Sequence, residues 1–356
     1  MTGHRRSRAL LICGSLNQTT QMHSIARELD DFECFFTPFY GDRGLTALRR
    51  MGLLESTIMG NKLRKRCLDY LRDHGLPIDL EGATRSYDLV ITCTDLVIPR
   101  GVRRQPLVVV QEGMTDPDNL LSRFVRRTRL LPLWVTSTAL TGLSGLYDRF
   151  CVASPGYRRL FIERGAPPDR VVVTGIPNFD NCASYLDNDL PVRGYVLLCT
   201  TDMRETFRWE NRPALLKRVR ALAGGRPLHI KLHPNENVRR ALMEIRKYCP
   251  EAIVHCNGSA EALVANCDVL VTQYSSVVYV GLALGKEVHS YFDQDKLKEL
   301  LPIQNGGRAA RNVAEVCREL LRESQTRPAN ARTSRKARFP FGRRTEPQAG
   351  VAKCVS

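Results

Sequence analysis

The sequence predicts two doubly wound α/β domains that face each other across a cleft. Three observations predict this fold class. The chain has 356 residues, which fits two domains of about 150 residues each and a tail. Short apolar runs alternate with helical patterns, as is typical of a parallel sheet with helices on both faces. This alternation stops at a polar stretch near residues 181–194 and then begins again.

The first half contains five apolar runs of strand length, at residues 9–13, 32–36, 89–93, 107–110 and 149–153. Helical patterns occupy residues 22–29 and 63–75, between the first three of these strands. Because strands and helices alternate, we expect a parallel sheet whose ligands bind beyond the carboxyl ends of the strands.

The second half repeats this pattern after one more strand at residues 171–174. Its predicted strands are residues 195–199, 228–231, 252–255 and 269–272, and its predicted helices are residues 212–223, 238–249, 260–264 and 277–284. We therefore predict Rossmann-like domains over residues 1–176 and 195–325, a linker over residues 177–194 and a tail over residues 326–356.

The composition is that of an ordinary globular protein, with 43% hydrophobic and 25% charged residues. No apolar run approaches the roughly 18 to 20 residues that span a bilayer, and the first residues lack the pattern of a signal peptide. We therefore expect a soluble cytoplasmic protein. The 12 cysteines are scattered, without a CxxC pair or a Cys/His cluster, so we expect reduced cysteines and no metal site.

The formal net charge of +16 lies partly in the tail, where residues 326–356 hold eight Arg or Lys against one Glu. This segment lacks periodicity and is predicted to be disordered. The remainder carries about +9, which favours anionic ligands or an anionic membrane surface on the cytoplasmic side.

A basic and aromatic segment covers residues 121–134, where Arg123, Arg126 and Arg127 stand near Phe124 and Trp134. Positive charge beside exposed aromatic and aliphatic groups suits peripheral docking on an anionic bilayer. An ordinary basic helix explains the pattern equally well. Nucleic-acid binding is disfavoured, because the aromatic residues do not form a stacking series.

Tyr274, Ser275 and Ser276 follow an apolar strand and precede a predicted helix. Two hydroxyl groups at a helix start lie beside free backbone N–H groups, which favour an anion. We predict a phosphate site here. The alternative is that one serine only caps the helix.

Two further residues in the second half, His233 and Arg204, could bind a phosphate. His233 stands at the end of a predicted strand, because Pro234 prevents the strand from continuing. An imidazole there can donate to a phosphate oxygen or act as an acid. Arg204, in the turn after the strand at residues 195–199, could bind a phosphate bidentately, although a solvated arginine is an equal alternative.

Glu112 follows Gln111 at the end of the buried strand at residues 107–110 and precedes Gly113. A carboxylate at this position suits a general base, and a simple turn carboxylate is the alternative. Asp116 is the second candidate for the base.

The first loop, residues 14–20, begins at Gly14 and contains one glycine instead of the three of a dinucleotide-binding loop. We therefore expect no bound NAD and no other cofactor. Asn17 and Gln18 in this loop, with His23 beyond it, are predicted to face an acceptor.

These motifs resemble the GT-B enzymes of bacterial surface polysaccharide synthesis. The resemblance rests on His233-Pro234, on Ser275-Ser276 and on Val-Thr-Gly-Ile-Pro-Asn-Phe-Asp at residues 173–180. The similar families are the CDP-glycerol glycerophosphotransferases, the capsule sialyltransferases and the hydrolysing UDP-N-acetylglucosamine 2-epimerases. The resemblance implies that His233 and the two serines hold the phosphates of a nucleotide donor, and that Glu112 is the base, as in the sialyltransferases.

The chain departs from two of these families. The epimerases have Arg-Pro-Glu where this chain has Leu16-Asn17-Gln18, and a glycine pair followed by glutamate where it has Ser275-Ser276-Val277. The glycerophosphotransferases have an aspartate where this chain has Gln273. These differences favour a transferase over an epimerase.

The resemblance implies a GT-B fold, with an N-terminal acceptor domain and a C-terminal nucleotide-donor domain. The expected activity is transfer from a nucleotide-activated sugar or glycerol donor to a glycan or lipid-linked acceptor. A hydrolysing 2-epimerase is the alternative, and a non-catalytic GT-B-like binding protein is the third hypothesis. The sequence does not predict an oligomeric state.

Overall fold

The computed structural model describes residues 5–326, except residues 56, 58, 129 and 207 and the side chain of residue 137. The predicted basic tail therefore lies almost entirely outside the described residues. Within the described part, the chain forms two parallel β-sheets, each with helices packed against it.

The first sheet has six strands in the order β2-β1-β3-β4-β5-β6, all parallel. These strands are β1 (Ser7–Cys13), β2 (Phe32–Pro38), β3 (Leu89–Thr92), β4 (Leu107–Val110), β5 (Arg149–Val152) and β6 (Val171–Val173). Every residue of the central β3 and β4 is buried, as expected for strands with helices on both faces.

The helices of this half are α1 (Leu16–Arg27), α2 (Arg43–Arg50), α3 (Asn61–Asp73), α4 (Leu120–Thr128) and α5 (Pro155–Arg164). Short 3₁₀ helices occupy Leu80–Gly82, Arg100–Val102 and Leu133–Leu140. Local sequence explains the ends of α5: the Ser154 side chain accepts from the backbone of Tyr157, and Gly165 ends the helix at a φ of 112°, which glycine adopts most readily.

The second sheet has five strands in the order β11-β10-β7-β8-β9, all parallel. These strands are β7 (Tyr195–Cys199), β8 (Leu228–Lys231), β9 (Ile253–His255), β10 (Cys267–Thr272) and β11 (Glu287–His289). The order reverses between β7 and its neighbours β10 and β8, which creates the crevice where such sheets bind ligands.

The helices of the second half are α6 (Arg212–Ala223), α7 (Val238–Tyr248), α8 (Ala260–Asn266), α9 (Val278–Ala283) and α10 (Gln294–Leu300). A short 3₁₀ helix, Cys182–Leu186, lies between the two sheets in the chain. The prediction of two doubly wound α/β units is confirmed. The three-residue strand β11 was not predicted from the sequence.

The last helix, α11 (Ala309–Thr326), returns to the first sheet and packs against α1 and β5. Its buried face includes Val313, Cys317 and Leu320. At its outer edge, Arg318 contacts the carboxylate of Asp31 at 2.7 Å. The predicted domain boundaries remain a prediction, and they did not anticipate this return of the chain.

No helix within the described residues is both long and apolar enough to cross a membrane.

Candidate active site

The loops after β4 and β10 form opposite walls of the cleft between the two sheets. Gln111, directly after β4, is buried. Both ends of its side-chain amide make hydrogen bonds that hold the loop in place. Its Oε1 accepts from the backbone N–H of Ala153 at 2.9 Å, and its Nε2 donates to the carbonyl of Gly113 at 2.7 Å. The side chain of Glu112 is thereby held between these anchored residues, at the wall of the cleft.

The Glu112 carboxylate accepts a hydrogen bond on each oxygen. Ser15 Oγ donates to Oε1 at 2.7 Å, and Gln18 Nε2 donates to Oε2 at 2.6 Å. Ser15 also caps α1, because its Oγ accepts from the backbone N–H of Gln18 at 3.2 Å. Together, these two hydrogen bonds fix the orientation of the carboxylate. Each oxygen retains a lone pair that can accept a proton.

Gly14 allows Gln18 to reach Glu112. A β-carbon at position 14 would lie 1.9 Å from Gln18 Oε1, so any other residue would push the amide away from its partner. Asn17 lies on the same loop, and its backbone carbonyl accepts from Asn178 Nδ2 at 3.0 Å. The predicted residues Gly14, Asn17, Gln18 and Glu112 therefore lie together.

Tyr274, Ser275 and Ser276 lie in the turn that precedes α9, and Ser276 belongs to the opposite wall. The backbone carbonyls of Ser275 and Ser276 accept from Val278 and Tyr279 at 3.3 and 3.0 Å. Tyr274 is 41% exposed. A β-carbon placed on Gly113 would lie 3.7 Å from Ser276 Cβ, so the two walls meet closely at these residues.

Asp116, the second candidate for the base, lies farther along the first wall. Its carboxylate accepts from Thr138 Oγ1 at 2.8 Å and contacts Arg208 of the opposite sheet's loops at 3.3 Å. It thus contributes to a contact across the cleft.

His233 lies in the turn after β8, beside Pro234, as the strand-ending proline predicts. Its Nδ1 accepts from the backbone N–H of Asn235 at 3.2 Å, which leaves the proton of the neutral ring on Nε2. Burial lowers the pKa of His233, although the nearby Asp202 and Glu236 act in the opposite direction. The neutral ring can therefore donate through Nε2 to an anion.

Thr200 and Thr201, after β7, connect the two predicted phosphate-binding segments. The backbone N–H of His233 donates to Thr200 Oγ1 at 3.0 Å, and Thr201 Oγ1 donates to Gln273 Oε1 at 3.0 Å. Because β7 lies between β8 and β10 in the sheet, this loop sets the distance between His233 and Ser275.

Arg204 lies on a cluster of carboxylates rather than at the walls just described. Its guanidinium contacts Glu244 at 2.8 Å, Glu210 at 3.0 Å and Glu236 at 3.5 Å. Arg212, only 1% exposed, contacts Glu236 at 2.6 Å. These contacts give Arg204 a structural role, and its predicted role in substrate binding remains a prediction.

A cavity of about 560 Å³ opens between the two walls, within the range of about 300–1,000 Å³ that small-molecule sites span. Asn17, Gln18, Glu112 and Ser276 are among the residues that line it. Residues from both sheets thus share one cavity, with a carboxylate from the first and a hydroxyl from the second. His233 does not line this cavity in the described structure, nor do Tyr274 and Ser275.

Several residues of this site were not singled out from the sequence. Ser15 was not predicted, although it stands three residues before the predicted Gln18, a spacing that could have indicated the start of α1. Gln111, Thr200 and Glu236 act through contacts with residues 32 to 42 positions away, and local patterns carry no signal for such pairs.

The paired histidines at the far edge of the second sheet make stability depend on pH. His255 Nε2 lies 3.0 Å from His229 Nδ1, and burial lowers the pKa of both rings. The unfolded chain therefore binds more protons below the ordinary histidine pKa of about 6.5. We expect the free energy of unfolding to fall as the pH drops below that value, and His229→Gln to reduce this dependence. Urea denaturation from neutral to mildly acidic pH measures both, and identical slopes would contradict the assignment.

No protein-family model matches the chain, and no curated protein matches it in sequence. Solved structures do match its fold. A UDP-GlcNAc 2-epimerase from Neisseria meningitidis, bound to UDP-GlcNAc, is similar at a TM-score of 0.56 and 13% identity, over 88% of this chain and 100% of that one. The wall teichoic acid polymerase TagF is similar at a TM-score of 0.51 and 11% identity, over 90% of each chain.

A third similar structure is S. aureus MnaA with UDP, at a TM-score of 0.52 and 13% identity over 87% of each chain. At these identities the likeness concerns the fold. The two parallel sheets, the cleft between them and these structural neighbours together confirm the predicted architecture, and the chain has the GT-B fold.

Proposed function

We propose that the protein is a GT-B-type transferase that moves a group from a nucleotide-activated donor to a hydroxyl of an acceptor, in the synthesis of a cell-surface polysaccharide. One observation carries the proposal: a carboxylate oriented by two hydrogen bonds and a hydroxyl of the other domain line one cavity. The fold shared with TagF and with a UDP-bound protein supports a nucleotide-activated sugar or glycerol as the donor.

In this proposal, Glu112 accepts the proton of the acceptor hydroxyl as its oxygen bonds to the transferred group. The bond between that group and the donor phosphate breaks, and its electron pair goes to the phosphate oxygen. His233 Nε2–H and the hydroxyls of Ser275 and Ser276 donate to the leaving phosphate and stabilise the developing charge. The acceptor is a glycan or a lipid-linked molecule.

Nucleotide binding tests the donor half of this proposal. We expect one of UDP, CDP, CMP or GDP to raise the melting temperature, because a ligand at about 100 times its Kd adds about 2.7 kcal/mol of stability. His233→Ala and Ser275→Ala should remove most of this increase, while His74→Ala, an exposed histidine of the other domain, should leave it unchanged.

If no nucleotide stabilises the protein, the proposal is wrong. A non-catalytic binding protein with the GT-B fold is then the better hypothesis. Unchanged nucleotide binding in both His233→Ala and Ser275→Ala would refute the assignment of these residues.

A hydrolysing 2-epimerase is the second candidate, because a structural neighbour is an epimerase bound to UDP-GlcNAc. Such an enzyme needs no acceptor. Incubation with UDP-N-acetylglucosamine alone separates the two hypotheses: the epimerase releases N-acetylmannosamine and UDP, which NMR detects, and the transferase does not.

We also propose that α4 docks on an anionic membrane surface. Leu120 is 83% and Phe124 48% exposed, beside the exposed Arg123 and Arg127. Burial of these apolar groups and attraction to anionic lipid act together. Failure to sediment with anionic vesicles at low salt would refute this.

A further inference from the structure

The cavity between the two walls is lined by both polar and apolar side chains, and most of them belong to the first domain. The apolar lining residues of the first domain include Phe39, Leu45, Leu54, Met59, Leu96 and Val97. Trp134, from the 3₁₀ helix after α4, lines the cavity as well.

Of the five threonines that line the cavity, three use their hydroxyls in hydrogen bonds within the protein. Thr57 Oγ1 donates to the carbonyl of Leu54 at 2.8 Å and accepts from the backbone N–H of Met59 at 3.2 Å. Thr94 Oγ1 accepts from the backbone N–H of Leu96 at 3.2 Å. Thr138 Oγ1 donates to Asp116 at 2.8 Å. The O–H groups of Thr57 and Thr138 are therefore not available to the hydroxyls of a sugar or a polyol.

A polar ligand would lose its hydrogen bonds to water in such a place without replacing them, which costs free energy. An apolar group gains free energy there, at about 25 cal/mol for each Å² removed from water. The apolar lining residues therefore favour an apolar group on the ligand, while Glu112 in the same cavity can accept a hydroxyl proton.

We infer that the acceptor is an alcohol whose apolar body lies next to its reacting hydroxyl, in the cavity lined by Leu96 and Val97. This inference rests on the proposed transfer to an acceptor hydroxyl, and it replaces the glycan or lipid-linked acceptor with an apolar alcohol. The hydroxyl points to Glu112, and the aliphatic body fills the space beyond it, where a sugar or a glycerol phosphate would leave its polar groups unpaired.

Trp134 gives a direct measure of binding, since the chain has two tryptophans and the other, Trp209, does not line this cavity. In a Trp209→Phe background, we expect octanol to shift the emission of Trp134 in a saturable way and glycerol to have no effect. Leu96→Asn should weaken octanol binding about tenfold, because it places an unpaired amide in the apolar wall. The matched control is Leu186→Asn, at an exposed leucine outside the cavity.

Melting temperatures and nucleotide binding of each variant establish that it is folded. Octanol binding that Leu96→Asn leaves unchanged, or binding of glycerol in preference to octanol, would overturn the inference. If a nucleotide binds and octanol does not, the acceptor class is wrong and the transferase proposal stands. If octanol binds at this cavity and no nucleotide binds, the transferase proposal fails, and with it the role of the alcohol as an acceptor.

Discussion

Glu112→Gln is expected to slow turnover by about 10²- to 10⁴-fold, the usual contribution of a general base. The substitution keeps the shape of the side chain and removes the group that accepts the proton. It should leave nucleotide binding unchanged, because the proposed donor contacts lie on the other wall. The measurement is release of free nucleotide from the activated donor whose nucleotide the protein binds.

Two companion variants sharpen this test. Gly14→Ala should lower the rate without unfolding the protein, because a β-carbon there would displace the Gln18 amide that orients Glu112. Glu319→Gln, at an exposed carboxylate on α11, should leave the rate unchanged. If the Glu112→Gln protein retains the full rate, Glu112 is not the base, and Asp116 becomes the next candidate for that role.

Arg212→Met is expected to lower the free energy of unfolding by about 3–5 kcal/mol, the cost of breaking a buried ion pair. Glu210 and Glu236 both have fully buried side chains, and Arg212 contacts both of them. Without it, Arg204 alone faces three carboxylates. Urea denaturation measures the loss.

The same helix provides the control. Arg220 pairs with Glu251 at 2.8 Å and is 55% exposed, so Arg220→Met should change stability by about 1 kcal/mol or less. A loss equal to that of Arg220→Met would mean that the cluster is not a determinant of stability.

This cluster also connects stability to the site. Thr200 Oγ1 accepts from the backbone of His233 at 3.0 Å and donates to Glu236 at 2.5 Å. A displacement of the Glu236 carboxylate would therefore shift the Thr200 hydroxyl, which holds the backbone of His233. Arg212→Met is expected to weaken nucleotide binding in the protein that remains folded.

The features that could be predicted from the sequence are those that local patterns encode. Buried parallel strands such as β4 are continuous apolar runs, and the residues directly after them, such as Glu112, must lie at the ligand edge. The three residues of β11 contain one buried apolar side chain, Val288, which is too short a pattern to recognise.

The surroundings of Arg204 could not be predicted for a different reason. Its partners Glu236 and Glu244 lie 32 and 40 positions away, and no periodicity in the sequence indicates which carboxylate a given guanidinium will meet. The same holds for the hydroxyl of Ser15 on Glu112, 97 positions away. Residue type and strand position predict where a charge stands, and the tertiary fold decides what it contacts.

The return of α11 to the first sheet makes the second domain an insertion within the first. The chain leaves the first domain and re-enters it at one place, because Gly306 donates to the carbonyl of Asp180 at 3.0 Å and Ala309 donates to the Asp180 carboxylate at 2.7 Å. Any rotation of one domain against the other would therefore have to change the backbone torsions beside Asp180, and would also have to break contacts such as that between the Tyr157 and Tyr279 hydroxyls at 2.7 Å.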